Sequence, residues 1–141
     1  MSENTGRIRI LVVDDDISVL EVETEILNAL GYRVTGQSNP MKALESFCNK
    51  PHAYDLVITD FHMPGMNGAE LCGRIKTIRP DIPKIIVSGI QEIDNKTARG
   101  LGIHGTITKP LKIRDLAACV KEALEAGAGS KTKDVNHGFI L

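Results

Sequence analysis

The sequence lacks a long apolar segment, since no run approaches the roughly 18–20 residues that a membrane-spanning helix requires. The stretch from Met1 to Arg7 also lacks the apolar core of a secretion signal. Charge of one sign is not in excess either, because 17 basic residues against 18 acidic ones leave a formal net charge of −1. We therefore expect a cytoplasmic protein that neither enters a membrane nor binds nucleic acid directly.

Cysteine is scarce as well, with single residues at positions 48, 72 and 119. An odd number of widely spaced cysteines in helix-like surroundings predicts reduced thiols that pack as small apolar side chains. It argues against both a disulfide framework and a cysteine metal site. With 42% hydrophobic and 25% charged residues among 141, the composition is that of one globular domain that can bury a core.

Short apolar runs alternate five times with helical patterns, which predicts a parallel sheet covered by helices on both faces. The first helical pattern is closed by Gly31, and the second begins at Asn39 and Pro40, a capping residue followed by a proline at the first helical position. The inner face of the first helix is expected at helical spacing, on Ile17, Leu20, Thr24, Leu27 and Leu30. The five expected strands cover residues 7–13, 33–37, 55–60, 84–88 and 104–108.

These elements predict one α/β domain over residues 1–127, with a doubly wound five-stranded parallel sheet of strand order 2-1-3-4-5. The last amphipathic helix is expected to stop at Gly127. Residues 128–141 have no period and are rich in glycine and lysine, so they are expected to form a flexible carboxyl-terminal tail.

Polar side chains end four of the five strands: Asp14 and Asp15 after the first, Asp60 on the third, Ser88 on the fourth and Lys109 after the fifth. The carboxyl ends of parallel strands lie on one edge of a sheet, and in this strand order the first and third strands flank the switch point where such sheets bind ligands. We therefore expect all five side chains at one mouth.

The charges of this mouth indicate its chemistry. Asp14, Asp15 and Asp60 contribute −3 and Lys109 contributes +1, which leaves −2. Clustered carboxylates repel one another unless a cation joins them, and an acidic, oxygen-rich cleft suits Mg²⁺. A divalent ion can gather the oxygens of a phosphoryl group beside a carboxylate, and aspartate is a known covalent acceptor of such groups.

Four segments resemble the receiver domain of bacterial two-component response regulators of the chemotaxis-regulator type: Ile10–Asp16, Asp55–Gly68, Ile85–Gly89 and Ile107–Pro110. The resemblance covers roughly residues 7–126, and the segments occur in the family's order. It implies a flavodoxin-like fold and a phosphorylation-activated switch. Such a protein is not a turnover enzyme on external substrates, although it catalyses its own aspartyl phosphorylation and dephosphorylation.

The resemblance also implies roles for individual residues. Asp60 aligns with the phosphoacceptor that takes its phosphoryl group from a histidine kinase or phosphotransfer protein. Ser88 matches the hydroxyl that turns toward the phosphoryl group, and Lys109 matches the family's lysine, followed by a cis bond to Pro110. The implied ligands of the cofactor Mg²⁺ are Asp15, Asp60, the main-chain carbonyl of His62 and, through water, Asp14. A homodimer and an unidentified downstream protein partner are compatible with this reading.

The sequence departs from the family at Thr106, where an aromatic residue that rotates on activation is usual. Two alternatives to the switch therefore stay open. One is a scaffold that keeps the receiver fold and works unphosphorylated. The other, less favoured, is a small-molecule phosphatase with an acidic Mg²⁺ site, because Asp14 and Asp16 faintly resemble the motif of haloacid-dehalogenase-type phosphatases. That family needs a substrate-covering cap, for which this chain has little sequence.

Overall fold

The computed structural model describes residues 7–89 and 93–132. Five strands alternate with five helices, and the strands form one parallel sheet in the order β2-β1-β3-β4-β5, as predicted. No helix among the described residues is both long and apolar enough to cross a membrane. In chain order the elements are β1 (Arg9–Val13), α1 (Ile17–Ala29), β2 (Arg33–Gln37), α2 (Pro40–Asn49), β3 (Leu56–Asp60), α3 (Gly68–Ile78), β4 (Lys84–Ser88), α4 (Asn95–Gly100), β5 (Ile103–Thr108) and α5 (Ile113–Thr132).

The helices begin where short polar side chains satisfy their first backbone N–H groups. Asp16 accepts hydrogen bonds from the amides of Ser18 and Val19 at the start of α1. Asn39 does the same for α2, with Pro40 as the first helical residue, as the sequence predicted. At α3, Asn67 and Glu70 form a reciprocal capping box. Three helices therefore start at defined residues on the edge where the strands end.

Each face of the sheet carries its own apolar layer. On one face α1 and α5 pack on alternate strand residues such as Val12, Ile58 and Val87. On the other face α2 and α3 cover Leu11 and Val57, and a smaller cluster joins α3 and α4 to β4 and β5. All five residues of β3 are buried, so the carboxylate that ends this strand is shielded from solvent.

The prediction that α5 stops at Gly127 was wrong, because the helix continues to Thr132. A Cβ atom at Gly127 would lie 3.4 Å from Cγ of Pro83, so the helix passes close to the sheet edge at this point. That distance is an ordinary van der Waals contact, so Gly127 lies inside the helix without ending it. The tail expected over residues 128–141 is helical as far as Thr132, and residues 133–141 lie outside the described residues.

The expected inner face of α1 is correct only in its middle. Leu27 is buried and Leu20 packs against the same layer, but Ile17 and Leu30 are exposed. The side chain that joins Leu27 as fully buried is Glu23.

The predictions for the cysteine thiols are correct in part, since Cys72 is buried and Cys119 half-buried, whereas Cys48 is exposed. All three are free cysteines.

Candidate functional site

The site lies at the carboxyl edge of the sheet, where β1, β3, β4 and β5 end side by side. Asp60 is the last residue of β3 and is almost fully buried. Its neighbour in register on β4 is Val87, so Ser88 comes one position further along the adjacent strand. Ser88 is also buried, and its carbonyl oxygen accepts a hydrogen bond of 2.8 Å from the amide of Lys109. The topology therefore brings together side chains that are far apart in sequence.

Three carboxylates meet at this edge. One carboxylate oxygen from each of Asp14, Asp15 and Asp60 lies within 4.8 Å of the others. Asp14 and Asp60 are buried, whereas Asp15 is exposed. The predicted acidic mouth is therefore present, with two of its carboxylates on the protein side and one on the solvent side.

Lys109 provides the compensating positive charge. Its Nζ atom lies 2.7 Å from Oδ1 of Asp60, and its side chain is half-buried. Burial alone would lower the pKa of Lys109, but the hydrogen bond to Asp60 and the nearby carboxylates raise it above the usual value. The ammonium therefore stays protonated beside the carboxylate. The peptide bond that follows, to Pro110, is cis as predicted.

Asp14 carries an oxygen without a partner. Its Oδ1 atom accepts a hydrogen bond of 2.9 Å from the amide of Asp16. Oδ2 is the buried side-chain oxygen that lacks a hydrogen-bond partner among the described residues. The pKa of Asp14 is raised to about 6, chiefly by desolvation and further by the charge of Asp60, whereas the hydrogen bond from Asp16 lowers it. An orphaned, desolvated oxygen beside two other carboxylates suits a hard divalent cation such as Mg²⁺.

Two neighbouring residues take different places. Asp16, which is not among the predicted site residues, caps α1 from an exposed position. His62 lies in the exposed loop after β3, and its ring stands edge-on to that of Phe61 with centroids 4.9 Å apart. The proposed use of its main-chain carbonyl as a metal ligand stays a prediction. Thr106, in the place of the usual aromatic residue, is exposed on β5.

Sequence reasoning missed Glu23, which is only 2% exposed. The pKa of this carboxyl is raised to about 8, chiefly by burial and further by the charges of Asp14 and Asp60, whereas the charge of Lys109 lowers it. A signal was present in the sequence, because Glu23 lies three residues after Leu20 and four before Leu27. Those spacings place it on the apolar stripe of α1.

The mouth is surrounded by exposed apolar side chains. Ile17, Met41 and Ile113 are 59%, 55% and 60% exposed, and each lies in the first turn of a helix that begins at this edge. Beside Lys109, a cavity of about 330 Å³ separates α1 from the segment before α5. It is lined by Ser18, Val19, Val22, Lys109, Pro110 and Leu111. The surface beside Lys109 is therefore largely apolar.

Removal of the Lys109 ammonium should destabilise the fold, and a bound divalent cation should offset this loss of stability. We expect Lys109→Met to lower the free energy of unfolding at pH 7 by about 1–3 kcal/mol, because Asp60 loses its counterion in a desolvated cluster. Millimolar Mg²⁺ should recover much of this loss. Urea denaturation with and without Mg²⁺ measures both effects, and Lys112→Met, which removes an exposed lysine nearby, is the matched control. Equal losses in the two variants would contradict the assigned role of Lys109.

The fold and the site together define a class of domain: a flavodoxin-like α/β unit with a carboxylate cluster, a lysine and a serine at the mouth of its switch point. Residues 10–121 match the family model of the response regulator receiver domain. The chain therefore belongs to the receiver-domain family of two-component response regulators. Domains of this family are signalling switches that work with histidine kinases or phosphotransfer proteins.

Individual relatives agree with this assignment. Sporulation initiation phosphotransferase F of Bacillus subtilis (strain 168) is 32% identical over 117 residues, which cover 82% of this chain and 93% of that protein. The crystal structure of a CheY-like receiver domain protein from Methanospirillum hungatei JF-1 matches with a TM-score of 0.81 and 31% identity, covering 89% of this chain and 99% of that one.

Larger relatives share only this part. Transcriptional regulatory protein ZraR of Klebsiella oxytoca is 37% identical over 119 residues, which are 84% of this chain and 26% of that protein. Two similar response regulators of Arabidopsis thaliana are likewise covered over only 22% and 29% of their length. The chain thus spans about a quarter of the length of these relatives.

Proposed function

We propose that this chain is a phosphorylation-controlled signalling switch in a phosphorelay, and that Asp60 is its phosphoryl acceptor. The observation that carries the proposal is the pairing of a buried, strand-terminal carboxylate with Lys109 at 2.7 Å, inside a cluster with Asp14 and Asp15. A nucleophile held beside a cation and other acidic groups is the arrangement that phosphoryl transfer to a carboxylate needs.

In the proposed reaction, a carboxylate oxygen of Asp60 attacks the phosphorus atom of the donor. A new P–O bond forms while the bond from phosphorus to the donor breaks, and the electron pair leaves with the donor. With phosphohistidine the leaving group is an imidazole nitrogen, and with an acyl phosphate it is a carboxylate. Lys109 balances negative charge on the phosphoryl oxygens, and the hydroxyl of Ser88 donates a hydrogen bond to one of them.

Mg²⁺ is the proposed cofactor. Asp15, Asp60 and the main-chain carbonyl of His62 would hold it, with Asp14 contributing through water. When bound, the ion neutralises the carboxylates and draws phosphoryl oxygens toward Asp60. The unpartnered Oδ2 atom of Asp14 supports this assignment, because a buried acidic oxygen without a donor is costly unless a cation or an ordered water meets it.

The proposed donor is a histidine kinase or phosphotransfer protein of the cytoplasm. A macromolecular donor has to cover the mouth in order to bring its phosphohistidine to Asp60. The exposed Ile17 and Ile113, which flank the mouth on α1 and α5, offer such a partner apolar contact area. The acidic residues Glu21 and Glu25 on the exposed side of α1 favour a basic partner surface.

The test uses the protein alone, with a small acyl phosphate as donor. With Mg²⁺ present, intact-mass spectrometry should show one phosphoryl group added per chain, and the adduct should hydrolyse in mild base as an acyl phosphate does. Addition of EDTA before the donor should abolish the adduct, because the carboxylates then repel the incoming phosphate. An unmodified protein in Mg²⁺ would contradict the proposal and favour the unphosphorylated scaffold. Steady release of phosphate from generic phosphoesters would favour a phosphatase.

A further inference from the structure

The loop between β3 and α3, residues 61–67, carries the proposed main-chain ligand of the metal ion. That ligand is the carbonyl of His62, a residue whose side chain is exposed. Because a peptide bond is planar, the carbonyl oxygen lies in the plane that joins Cα of His62 to Cα of Met63. The direction of this oxygen therefore depends on how the chain is held on either side of that plane.

On the amino-terminal side the chain is held at Phe61. The amide of Phe61 donates a hydrogen bond of 3.0 Å to the carbonyl of Val87 on β4, and its own carbonyl accepts one of 2.8 Å from the amide of Gly68. The ring of Phe61 packs against the apolar cluster that joins α3 and α4 to β4 and β5. The backbone is thus fixed immediately before His62.

On the carboxyl-terminal side the chain is held by the side chain of Met63. This side chain is only 8% exposed and packs in the apolar layer beneath α2 and α3. Its Sδ atom lies 3.9 Å from the hydroxyl of Thr59, a buried residue that directly precedes Asp60 on β3. Met63 is therefore anchored to the same strand that ends on the proposed phosphoryl acceptor.

A second methionine of the loop, Met66, is equally buried in the same layer but lies near another fixed point. Gly65, with a φ of +85°, turns the chain between the two methionines. Met66 directly precedes Asn67, whose capping box with Glu70 fixes the start of α3. This end of the loop is thus held by contacts that do not involve the Met66 side chain.

We propose that Met63 is a positioning residue of the metal site, whose buried side chain fixes the carbonyl of His62 as a ligand. The ion is the one assigned to Asp15 and Asp60. Mg²⁺ demands near-ideal octahedral geometry, so a carbonyl that is free to turn contributes less affinity than one held in place. The inference rests on the Mg²⁺ site of the proposed function and not on the transfer of a phosphoryl group.

The test measures metal affinity and stability in two alanine variants of this loop. Mn²⁺, which takes the same oxygen ligands as Mg²⁺, is the probe for electron paramagnetic resonance, and Mg²⁺ competes with it. We expect Met63→Ala to bind both ions roughly tenfold more weakly than wild type, as is typical when a group that orients a ligand is removed. Met66→Ala is the matched control. Its midpoint of thermal unfolding should fall to a similar extent, because both variants leave a cavity in the same layer, but its metal affinity should stay that of wild type.

Met63→Leu conserves the volume of the side chain and should keep the wild-type affinity. If alanine at position 63 prevents folding, Met63→Val and Met66→Val give the same contrast with a smaller truncation. Wild-type affinity in Met63→Ala, or equal losses of affinity in the two alanine variants, would overturn the inference. A wild type that binds the ions but forms no adduct would refute the proposed phosphorylation alone. A wild type that binds neither ion would refute the Mg²⁺ site and the role of Met63 together.

Discussion

Asp60→Asn is expected to remove the phosphoryl adduct completely. An amide oxygen is a far poorer nucleophile than a carboxylate. No other carboxylate of the cluster is the last residue of a strand, as Asp60 is. The fold should survive, because the amide oxygen of asparagine can still accept a hydrogen bond from Lys109. Intact-mass spectrometry after incubation with Mg²⁺ and an acyl phosphate measures the adduct, and circular dichroism verifies the fold.

The matched control is Asp16→Asn, which makes the same chemical change two residues after Asp14. Asp16 caps α1 through its Oδ1 atom, and asparagine caps helices about as well as aspartate. This variant should therefore keep both its stability and its adduct. An adduct that persists in Asp60→Asn would show that another residue is the acceptor. Loss of the adduct in Asp16→Asn would show that removal of any negative charge near the mouth abolishes the reaction, so that the effect is not specific to Asp60.

The second large effect is expected at Gly68, the first residue of α3. A Cβ atom there would collide with the carbonyl oxygen of Asp60 and lie 3.1 Å from Cα of Phe61. Both neighbours are backbone, and they are fixed by the 2.8 Å hydrogen bond from the amide of Gly68 to the carbonyl of Phe61. Gly68→Ala should therefore lower the free energy of unfolding by about 3 kcal/mol, at the upper end of overpacking costs. Because the collision shifts Asp60 itself, the rate of adduct formation should fall as well.

Gly73→Ala provides the comparison within the same helix. A Cβ atom at Gly73 would lie 3.4 Å from the end of the Leu101 side chain, which can adjust. Alanine is favoured over glycine inside a helix by about 1 kcal/mol, so this variant should be slightly more stable than wild type and fully active. Urea denaturation of the two alanine variants measures the contrast. Equal stabilities would show that the loop between β3 and α3 is less constrained than its geometry indicates.

The sequence predicted the sheet and the site because both follow from the same local signals. Short apolar runs that end on a charged or hydroxyl side chain locate the strand ends, and parallel pairing then places those ends on one edge. Asp60 and Lys109 are 49 positions apart in number, yet each is identifiable from its own strand. The cap at Asn39 is equally local.

The errors arose where tertiary packing overrides a local signal. Gly127 has the character of a helix stop, but α5 continues past it to Thr132, alongside Pro83 of a distant segment. Glu23 was missed because glutamate is usually solvated, although its spacing from Leu20 and Leu27 places it inside. In both cases the type of residue suggested one role, and its position in the fold gave it another.

The assembly of the site has a consequence for how the chain acquires its activity. Its groups come from the ends of the first, third, fourth and fifth strands, and Asp14 and Lys109 stand near opposite ends of the domain sequence. Contacts of such long range form late, because the entropy of closing the intervening chain is lost before they contribute. A partly synthesised or misfolded chain would hold its carboxylates and its lysine apart. Under the proposed function, the chain can therefore accept a phosphoryl group only after these long-range contacts have formed.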